Sequence, residues 1–201
     1  MNVVKRDGTV EQVKFDKISS RIRKQTYGLN EDYVDYFEVS KKVISGLYDG
    51  VTSSELDQLS AETAASMITT HPDYGKLAAR IIITSLYKDV AKEFSVVAKQ
   101  LYEYINPVNN EPAGLIADEV YAVIEKYATE LNAMIVHDRD FNFDYFGYKT
   151  LEKSYLLKRN GKPAETPQQM YMRVAVGIWR DNLEMVQKTY DRSEERRVGK
   201  E

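Results

Sequence analysis

The sequence predicts an α+β fold that is mainly helical, and two observations lead to this prediction. Two short extended runs, residues 3–4 and 10–15, flank Asp7 and Gly8, and an Asp-Gly pair between such runs is the signal of a β-hairpin. Further along the chain, apolar residues recur at helical spacing in most segments, with capping and breaking residues between them. We therefore expect an N-terminal hairpin followed by helices.

Four helices are predicted directly after the hairpin. The first covers residues 16–27, with Asp16 as its N-cap, and Gly28 ends it. The second covers about residues 38–46, and the fourth begins after Pro72. Together with the hairpin, these helices make a domain-sized unit of mixed structure.

The third of these helices has the clearest start signal. Thr52 and Glu55 have the spacing of a capping box, in which each side chain bonds the backbone N–H of the other residue. Four residues then recur at helical spacing and predict the packed face of this helix: Leu56, Leu59, Thr63 and Met67.

Helices are also predicted in the second half of the chain. Residues 94–104 continue the helical pattern, residues 106–114 break it, and residues 118–132 resume it. An Asn160–Gly161 pair then predicts a second hairpin. The last predicted helix runs to about residue 179, and its start carries Thr, Pro and Gln at the N-cap, first and third positions: Thr166, Pro167 and Gln169.

A segment dense in aromatic residues lies between these elements. With Arg and Lys interleaved, such a segment is compatible with stacking on single-stranded nucleic acid. Such aromatic density is also typical of a hydrophobic core, and the negative net charge of the chain favours this second interpretation. The aromatic residues are Phe141, Phe143, Tyr145, Phe146, Tyr148 and Tyr155.

Composition places the chain among folded globular proteins. Its residues are 43% hydrophobic and 29% charged, which is ordinary for such proteins. A length of 201 residues suffices for one large domain or two small ones. A net charge of −3 gives no general attraction to nucleic acid or to an anionic membrane. No apolar run approaches the length of a membrane span and no signal peptide precedes the hairpin, so we expect a cytoplasmic protein.

Thiol and metal chemistry are not expected in this chain. It contains no cysteine, which excludes disulfides, thiolate metal ligands and a thiol nucleophile within it. The two histidines, His71 and His137, lie far apart and lack the spacing of a zinc site. We expect both to be surface or capping residues.

The last ten residues, "RSEERRVGKE", differ in character from the rest. They contain one apolar side chain, Val198, and resemble the translated beginning of a short-read sequencing adapter. We therefore expect residues 192–201 to be a non-native tail, added where the reading frame ran past a gene fragment, and we exclude them from fold reasoning. The alternative is a natural, disordered polar tail.

Several longer motifs resemble a known family. The segment "KRDGTVEQVKFDKI" resembles the opening of an ATP-cone, a regulatory nucleotide-binding domain. The segments "GLYDGVTSSELDQLSAETAA" and "HPDYGKLAARIIITSLYK" resemble its later helices. Further on, "HDRDFNFDYFGYKTLEKSYLLKRNGKPAETPQQMYMRVAVGI" resembles the start of the catalytic chain of class I ribonucleotide reductases, the large subunit. The resemblance implies an ATP-cone allosteric domain over residues 1–92 and a helical, incomplete part of the large-subunit domain over residues 93–191.

The resemblance also implies which residues bind the nucleotide. Lys5 and Arg6 match a basic pair beside the polyphosphate, and Glu11 matches an acid near adenine. Ser53 matches a hydroxyl near a helix start, where free N–H groups suit an anion. Asp57, one turn further, matches the position that senses the ribose. The remaining matches, from the strand and helix that line the site and from a distant phosphate contact, are Gln12, Val13, Lys14, Phe15, Asp16, Lys17 and Lys88.

The resemblance implies an allosteric role for this chain. Class I reductases convert ribonucleoside diphosphates to deoxyribonucleoside diphosphates for DNA synthesis, using cysteines that this chain lacks. The implied effectors are ATP, which activates, and dATP, which inhibits, with Mg²⁺ as their companion ion. The implied partners are a radical-generating small subunit, further large subunits in a homo-oligomer, and thioredoxin or glutaredoxin as reductant. Neither nucleic acid nor membrane is an implied partner.

Two other classes of protein compete with this interpretation. An ATP-cone transcriptional repressor carries a zinc ribbon, which needs four metal ligands, usually cysteines, and these are missing here. A free-standing nucleotide-sensing or helical interaction module without enzymatic role would use the hairpin and helices alone. Neither class accounts for the motifs of residues 134–178.

Overall fold

The structure, a computed structural model, describes residues 1–198, and their side chains up to residue 193. These residues fall into two compact units. The first unit contains residues 1–85 and 143–149, and the second contains residues 86–142 and those from 150 onward. The mainly helical α+β fold is confirmed, whereas the boundary between residues 92 and 93 stays a prediction.

A three-stranded sheet opens the first unit. Strand β1 (Asn2–Val4) pairs antiparallel with β2 (Val10–Gln12), so that Val3 lies opposite Glu11. Gly8 has a φ of 84° in the connecting turn, which confirms the predicted hairpin. A third strand, β3 (Val51–Thr52), lies parallel to β1 on its other side. The sequence did not reveal this strand because two residues are too few to show an alternation of apolar and polar side chains.

Helices cover the rest of the first unit. Their bounds are Phe15–Arg23 for α1, Tyr36–Ser45 for α2, Ser53–Ser66 for α3 and Asp73–Asp89 for α4, whose last residues belong to the second unit. The predicted N-cap at Asp16 is wrong, since Lys14 occupies that position and Asp16 lies in the first turn of α1. A carboxylate in the first turn interacts favourably with the helix dipole. This explains why an acidic residue lies close to the helix start, two residues after the N-cap. The second hairpin strand ends at Gln12 and not at Phe15.

The capping box of α3 is confirmed. The Thr52 hydroxyl accepts from the Glu55 N–H at 3.1 Å, and the Glu55 carboxylate accepts from the Thr52 N–H at 2.8 Å. The predicted packed face is only partly right, because Met67 is buried while Leu56, Leu59 and Thr63 are half-buried. The buried face is turned by about one residue and consists of Asp57, Ser60, Ala61 and Ala64. Because polar and small residues give no apolar periodicity, the apolar pattern predicted the adjacent positions of the helix as the buried ones.

The second unit is built from further helices and one small hairpin. The helices are α5 (Phe94–Tyr102), α6 (Asp118–Lys126), α7 (Ala128–Met134), α8 (Tyr145–Ser154), α9 (Pro167–Trp179) and α10 (Leu183–Val198), with the first residues of α8 in the first unit. The single helix predicted over residues 118–132 is therefore two helices that meet at Tyr127. Strands β4 (Lys158–Arg159) and β5 (Lys162–Pro163) form the hairpin predicted at Asn160–Gly161.

Helix α9 begins where the sequence predicts. Thr166 and Gln169 form a second capping box, with the two hydrogen bonds at 2.9 and 3.3 Å, and Pro167 occupies the first turn. Helix α10 was not predicted, because its apolar residues are too sparse for a clear pattern. It includes residues 192–198 of the expected non-native tail, whose origin stays a prediction, and residues 199–201 of that tail lie outside the described residues.

Much of the core of the second unit comes from helices α5, α6, α7, α9 and α10. Its largest fully buried apolar side chains include Phe94, Leu101, Ile124, Leu131 and Met172. Two acidic side chains of this unit, Asp140 and Glu165, are also fully buried. The two oxygens of Asp140 accept from the Tyr87 hydroxyl at 2.8 Å and the Gln168 N–H at 3.2 Å. Burial and the adjacent Asp140 carboxylate raise the pKa of Tyr87, so this phenol remains a hydrogen-bond donor.

The aromatic segment divides between buried and exposed side chains. Phe143, Tyr145 and Tyr148 are buried, which supports the core role for these three. Phe146 and Tyr155 are about 60% exposed, at 63% and 60%. Among the described residues, no helix is long and apolar enough to cross a membrane.

Candidate nucleotide-binding site

The hairpin turn in the first unit carries two adjacent basic residues, Lys5 and Arg6. The turn is fixed by its own polar groups: the Asp7 carboxylate accepts from the Thr9 N–H at 2.9 Å, and the Lys5 N–H donates to the Thr9 carbonyl at 2.8 Å. The positive φ of Gly8 closes it. Because these interactions hold the turn, the backbone positions that carry the Lys5 and Arg6 side chains are fixed.

Lys5 belongs to a group that we call the exposed cluster: Lys5, Glu11 and Lys17. The Glu11 Oε2 atom lies 3.2 Å from the Lys17 Nζ and 3.4 Å from the Lys5 Nζ. The Lys17 hydrogen bond, followed by that of Lys5, lowers the pKa of Glu11 below its ordinary value of 4.5. The cluster thus has two ammonium groups around one ionised carboxylate, on three successive elements of the chain.

Arg6 belongs to a second group, the buried cluster, which centres on Asp57 in α3. The Asp57 side chain is 7% exposed, and its Oδ2 atom lies 3.6 Å from the Arg6 Nη2. The Arg6 guanidinium also donates to the Ser85 hydroxyl at 2.8 Å and to the Ser53 hydroxyl at 3.4 Å. One arginine from the hairpin turn therefore contacts both α3 and α4.

The other oxygen of Asp57 has a partner that the sequence did not reveal. The Arg21 Nε donates to the Asp57 Oδ1 at 3.1 Å. The Arg21 Nη2 in turn donates to the Thr84 hydroxyl at 2.6 Å and lies 3.4 Å from the Ile81 carbonyl oxygen. Arg21 thus connects α1 with α3 and α4 through one side chain.

The structure therefore brings together three of the predicted site residues in the buried cluster, Arg6, Ser53 and Asp57, and three in the exposed cluster. Sequence reasoning missed Arg21, Thr84 and Ser85. A mid-helix aspartate that is buried needs a cation nearby. This rule could have pointed to a basic partner, but the sequence does not say that Asp57 is buried or which arginine reaches it.

The other predicted site residues lie around the exit of the hairpin. Val13 is half-buried, and its N–H donates to the Met1 carbonyl at 3.1 Å. The remaining four are exposed where β2 leads into α1: Gln12, Lys14, Phe15 and Asp16. Lys88 is exposed in the last turn of α4 and belongs to the second unit. Nucleotide contact by all these residues stays a prediction.

The arrangement suits an anion that also carries hydrogen-bonding hydroxyl groups. Lys5, Arg6 and Lys17 supply positive charge near one edge of the hairpin, which is what a polyphosphate requires. Ser53 is the first residue of α3, where the helix dipole is positive. Asp57, one turn later, supplies a carboxylate that accepts hydrogen bonds.

Comparison with known proteins assigns both parts of the chain. A family model described as "ATP cone domain" matches residues 1–89, and one described as "Ribonucleotide reductase, all-alpha domain" matches residues 141–198. The match over residues 1–89 thus assigns the first unit's main segment, residues 1–85, to the ATP-cone class.

Similarity to whole proteins extends over nearly the entire chain. It is 52% identical over 191 residues to a ribonucleoside-diphosphate reductase large chain of Schizosaccharomyces pombe, covering 95% of this chain and 24% of the relative. It is 56% identical over 194 residues to the large subunit of Caenorhabditis elegans, covering 96% and 25%. The large subunit of Variola virus is 51% identical over 191 residues. The chain belongs to the ribonucleotide reductase large-subunit family, and it spans about a quarter of the length of these curated relatives.

Proposed function

We propose that the first unit binds adenine nucleotides and is the allosteric sensor of a ribonucleoside-diphosphate reductase large subunit. The observation that carries this proposal is the convergence of Arg6, Ser53 and Asp57 in the buried cluster of an ATP-cone, with Lys5 next to Arg6 in the hairpin turn. These residues come from the hairpin and from α3, and they combine positive charge with hydroxyl and carboxylate groups.

Each part of the nucleotide has a proposed partner. Lys5, Arg6 and Lys17 are assigned to the phosphates, with Mg²⁺ sharing the negative charge, and the family resemblance adds Lys88 as a phosphate contact. Glu11 is assigned to the exocyclic amine of adenine, because a carboxylate accepts a hydrogen bond that the oxygen of guanine cannot donate. Asp57 is assigned to the ribose hydroxyls. Residues 12–16, at the end of the strand and the start of the helix, are assigned to the lining of the site.

The parent enzyme reduces ribonucleoside diphosphates to deoxyribonucleoside diphosphates in the cytoplasm, for DNA synthesis. ATP in the cone favours activity and dATP suppresses it, by shifting the equilibrium between oligomers of the large subunit. The reaction requires a small subunit that generates a radical with its metal centre, and thioredoxin or glutaredoxin as dithiol reductant. This chain has no cysteine, so its contribution is regulatory. The names and sequence similarity of the relatives support this assignment.

Titration calorimetry on the 201-residue chain tests the proposal. ATP and dATP, each with Mg²⁺, are expected to bind saturably, and GTP is expected to bind much more weakly. Equal affinities for ATP and GTP would remove adenine recognition by Glu11. No saturable binding of any of the three nucleotides would contradict the proposed function as a whole.

The phosphate assignment has its own test. Replacing Lys5 or Lys88 by Ala is expected to weaken ATP binding by about 1.5–3 kcal/mol, the contribution of a charge-assisted hydrogen bond. Lys24→Ala and Lys41→Ala are matched controls, because both lysines are exposed and lie outside the two clusters. Unchanged ATP binding in the Lys5/Lys88 double variant would place the phosphates elsewhere.

The assignment of Asp57 is tested in the complete enzyme. Asp57→Asn keeps the size of the side chain and removes its charge, so nucleotide binding is expected to persist. Activity titrations should then show a weaker opposition between ATP activation and dATP inhibition. Full inhibition by dATP at the wild-type concentration would mean that Asp57 only stabilises the helix.

A further inference from the structure

A cavity in the second unit lies outside the proposed nucleotide site. It has a volume of about 500 Å³, which is within the range of pockets that bind small molecules. Its walls come from the end of α4 and the segment that follows it, from the short helix His137–Asn142 with the residue before it, and from the start of α9. All these parts of the wall belong to the second unit, so the cavity is formed within one compact body.

One wall of the cavity carries an imidazole in a fixed position. The Tyr87 hydroxyl donates to the His137 carbonyl at 2.8 Å, and the two rings meet edge to face with their centroids 6.3 Å apart. Burial, followed by the positive charge of Lys92, lowers the pKa of His137 below its ordinary value of 6.5. The ring is therefore uncharged at neutral pH, and it carries one N–H donor and one nitrogen acceptor.

Two opposite charges also border the cavity. Lys92 and Asp138 are both exposed, and their charges act on the pKa of His137 in opposite directions. Within the described part of the chain, neither the Lys92 ammonium nor the Asp138 carboxylate has an ion-pair or hydrogen-bond partner. The two groups therefore do not neutralise each other, and both are available to a ligand in the cavity.

The lining between these polar groups includes apolar side chains. Val90 is half-buried, and Val136, directly before His137, is 43% exposed. Contact with an apolar ligand would remove these side chains from water, which favours binding. A ligand with a single charge would be attracted by one of the two charged groups and repelled by the other. A ligand that has an ammonium group, a carboxylate and an apolar body is attracted by both.

We propose that this cavity binds a small zwitterion with an apolar body, in the chemical class of the apolar amino acids. The carboxylate of the ligand is assigned to Lys92, its ammonium group to Asp138, and its apolar body to Val90 and Val136. The uncharged ring of His137 lies beside the ligand and can hydrogen-bond either end of it. The inference is independent of the proposed function, because the cavity belongs to the second unit and its ligand is not a nucleotide.

NMR on the 201-residue chain tests the inference with phenylalanine as the probe. The chain has only two histidines, His71 and His137, so each imidazole can be followed separately. His71 lies in the first unit and serves as an internal control. We expect phenylalanine to shift the His137 signals saturably and to leave those of His71 unchanged. Equal shifts of both histidines, or no saturable shift at His137, would overturn the inference.

Two analogues of phenylalanine test whether both charges are recognised. Hydrocinnamate lacks the ammonium group of phenylalanine, and phenethylamine lacks its carboxylate. Each is expected to bind about fivefold more weakly than phenylalanine, which is the effect of one lost ion pair at an exposed site. If either analogue binds as tightly as phenylalanine, the cavity does not recognise a zwitterion and the inference fails.

Two variants assign the charges to residues. Lys92→Met keeps the length of the side chain and removes its charge, so this variant should bind phenylalanine no better than phenethylamine. Asp138→Asn should likewise bind phenylalanine no better than hydrocinnamate. Lys153→Met is the matched control, because Lys153 is exposed on α8 in the second unit and does not line the cavity. It should keep both wild-type preferences. A wild-type preference that persists in Lys92→Met or in Asp138→Asn would overturn the inference.

Discussion

The exposed and buried clusters of the first unit are built from the same parts and differ in their surroundings. In each, a carboxylate lies within 4 Å of basic side chains, Glu11 beside Lys5 and Lys17 and Asp57 beside Arg6 and Arg21. The Glu11 side chain of the exposed cluster is 47% exposed, whereas the Asp57 side chain of the buried cluster is 7% exposed. Water and salt therefore compete for Glu11 and hardly reach Asp57.

This difference gives the two clusters different uses. Exposed ion pairs contribute little to stability and exchange partners readily. Buried ion pairs are expensive to break, since removal of one partner leaves a charge without compensation. The exposed cluster can therefore change partners at small cost, whereas any change in the buried cluster is costly.

The largest expected effect comes from breaking the buried cluster. Asp57→Ala leaves Arg6 and Arg21 without their carboxylate and is expected to lower the free energy of unfolding of the first unit by about 3 kcal/mol, the lower end of the range for buried pairs because both arginines are partly exposed. Hydrogen exchange of the amides in α1, α3 and α4 measures this loss.

Asp32→Ala is the control for that experiment, since Asp32 is an exposed acid of the same unit. A loss below about 1 kcal/mol in Asp57→Ala, the size expected for an exposed pair, would abolish the distinction between the clusters.

A smaller effect is expected at the start of the helix that carries Asp57. Thr52→Ala removes the hydroxyl that caps α3 and should cost about 1 kcal/mol of stability. Thr52→Ser retains the cap and should restore most of it. Chemical denaturation of both variants gives the comparison, and equal destabilisation by Ala and Ser would show that the hydroxyl has no capping role.

The exposed cluster should respond less to the same kind of change. Glu11→Gln removes the carboxylate between Lys5 and Lys17 and is expected to change the free energy of unfolding much less than Asp57→Ala does. The effect should shrink as salt is added, because exposed charges are screened. A large, salt-independent loss in denaturation experiments would place Glu11 in a buried network, contrary to the geometry.

The smallest effect concerns the titration of Glu11. Its folded-state pKa is lowered, first by Lys17 and then by Lys5, so the stabilisation is present above the unfolded-state pKa and is lost as pH falls through the lowered folded-state pKa. Lys17→Ala should therefore raise the pKa of Glu11 toward 4.5, and Lys5→Ala should raise it less. NMR titration of the carboxyl carbon measures both shifts. The reverse order would mean that Lys5 is the closer partner in solution.

Features that depend on nearby residues could be predicted from the sequence. The hairpin turn at Asp7–Gly8 and the capping boxes at Thr52 and Thr166 rest on hydrogen bonds between residues two or three apart, and all three were predicted. Elements with weak local patterns were not: β3 has two residues, and α10 has few apolar ones. The break between α6 and α7 at Tyr127 could not be predicted because no Pro or Gly lies beside it.

The candidate site shows the same division. Resemblance to a family supplied Arg6, Ser53 and Asp57, because motif positions are visible in the sequence. Arg21, Thr84 and Ser85 belong to no quoted motif position of the site, and their role follows from contacts across the fold. The buried face of α3 was misjudged for a related reason, since an aspartate inside a protein looks in sequence like an aspartate on its surface.

By itself, the sequence determined the class of fold, the family, and where several helices and turns begin, since each of these depends on residues close together in the chain. Only the tertiary structure decided which cations face Asp57. Arg21 is 36 residues away from it, and the Arg6–Ser85 bond of the same cluster spans 79 residues. Such pairs form because packing of α1, α3 and α4 excludes water from one carboxylate, and the resulting need for a cation arises only once the helices have met.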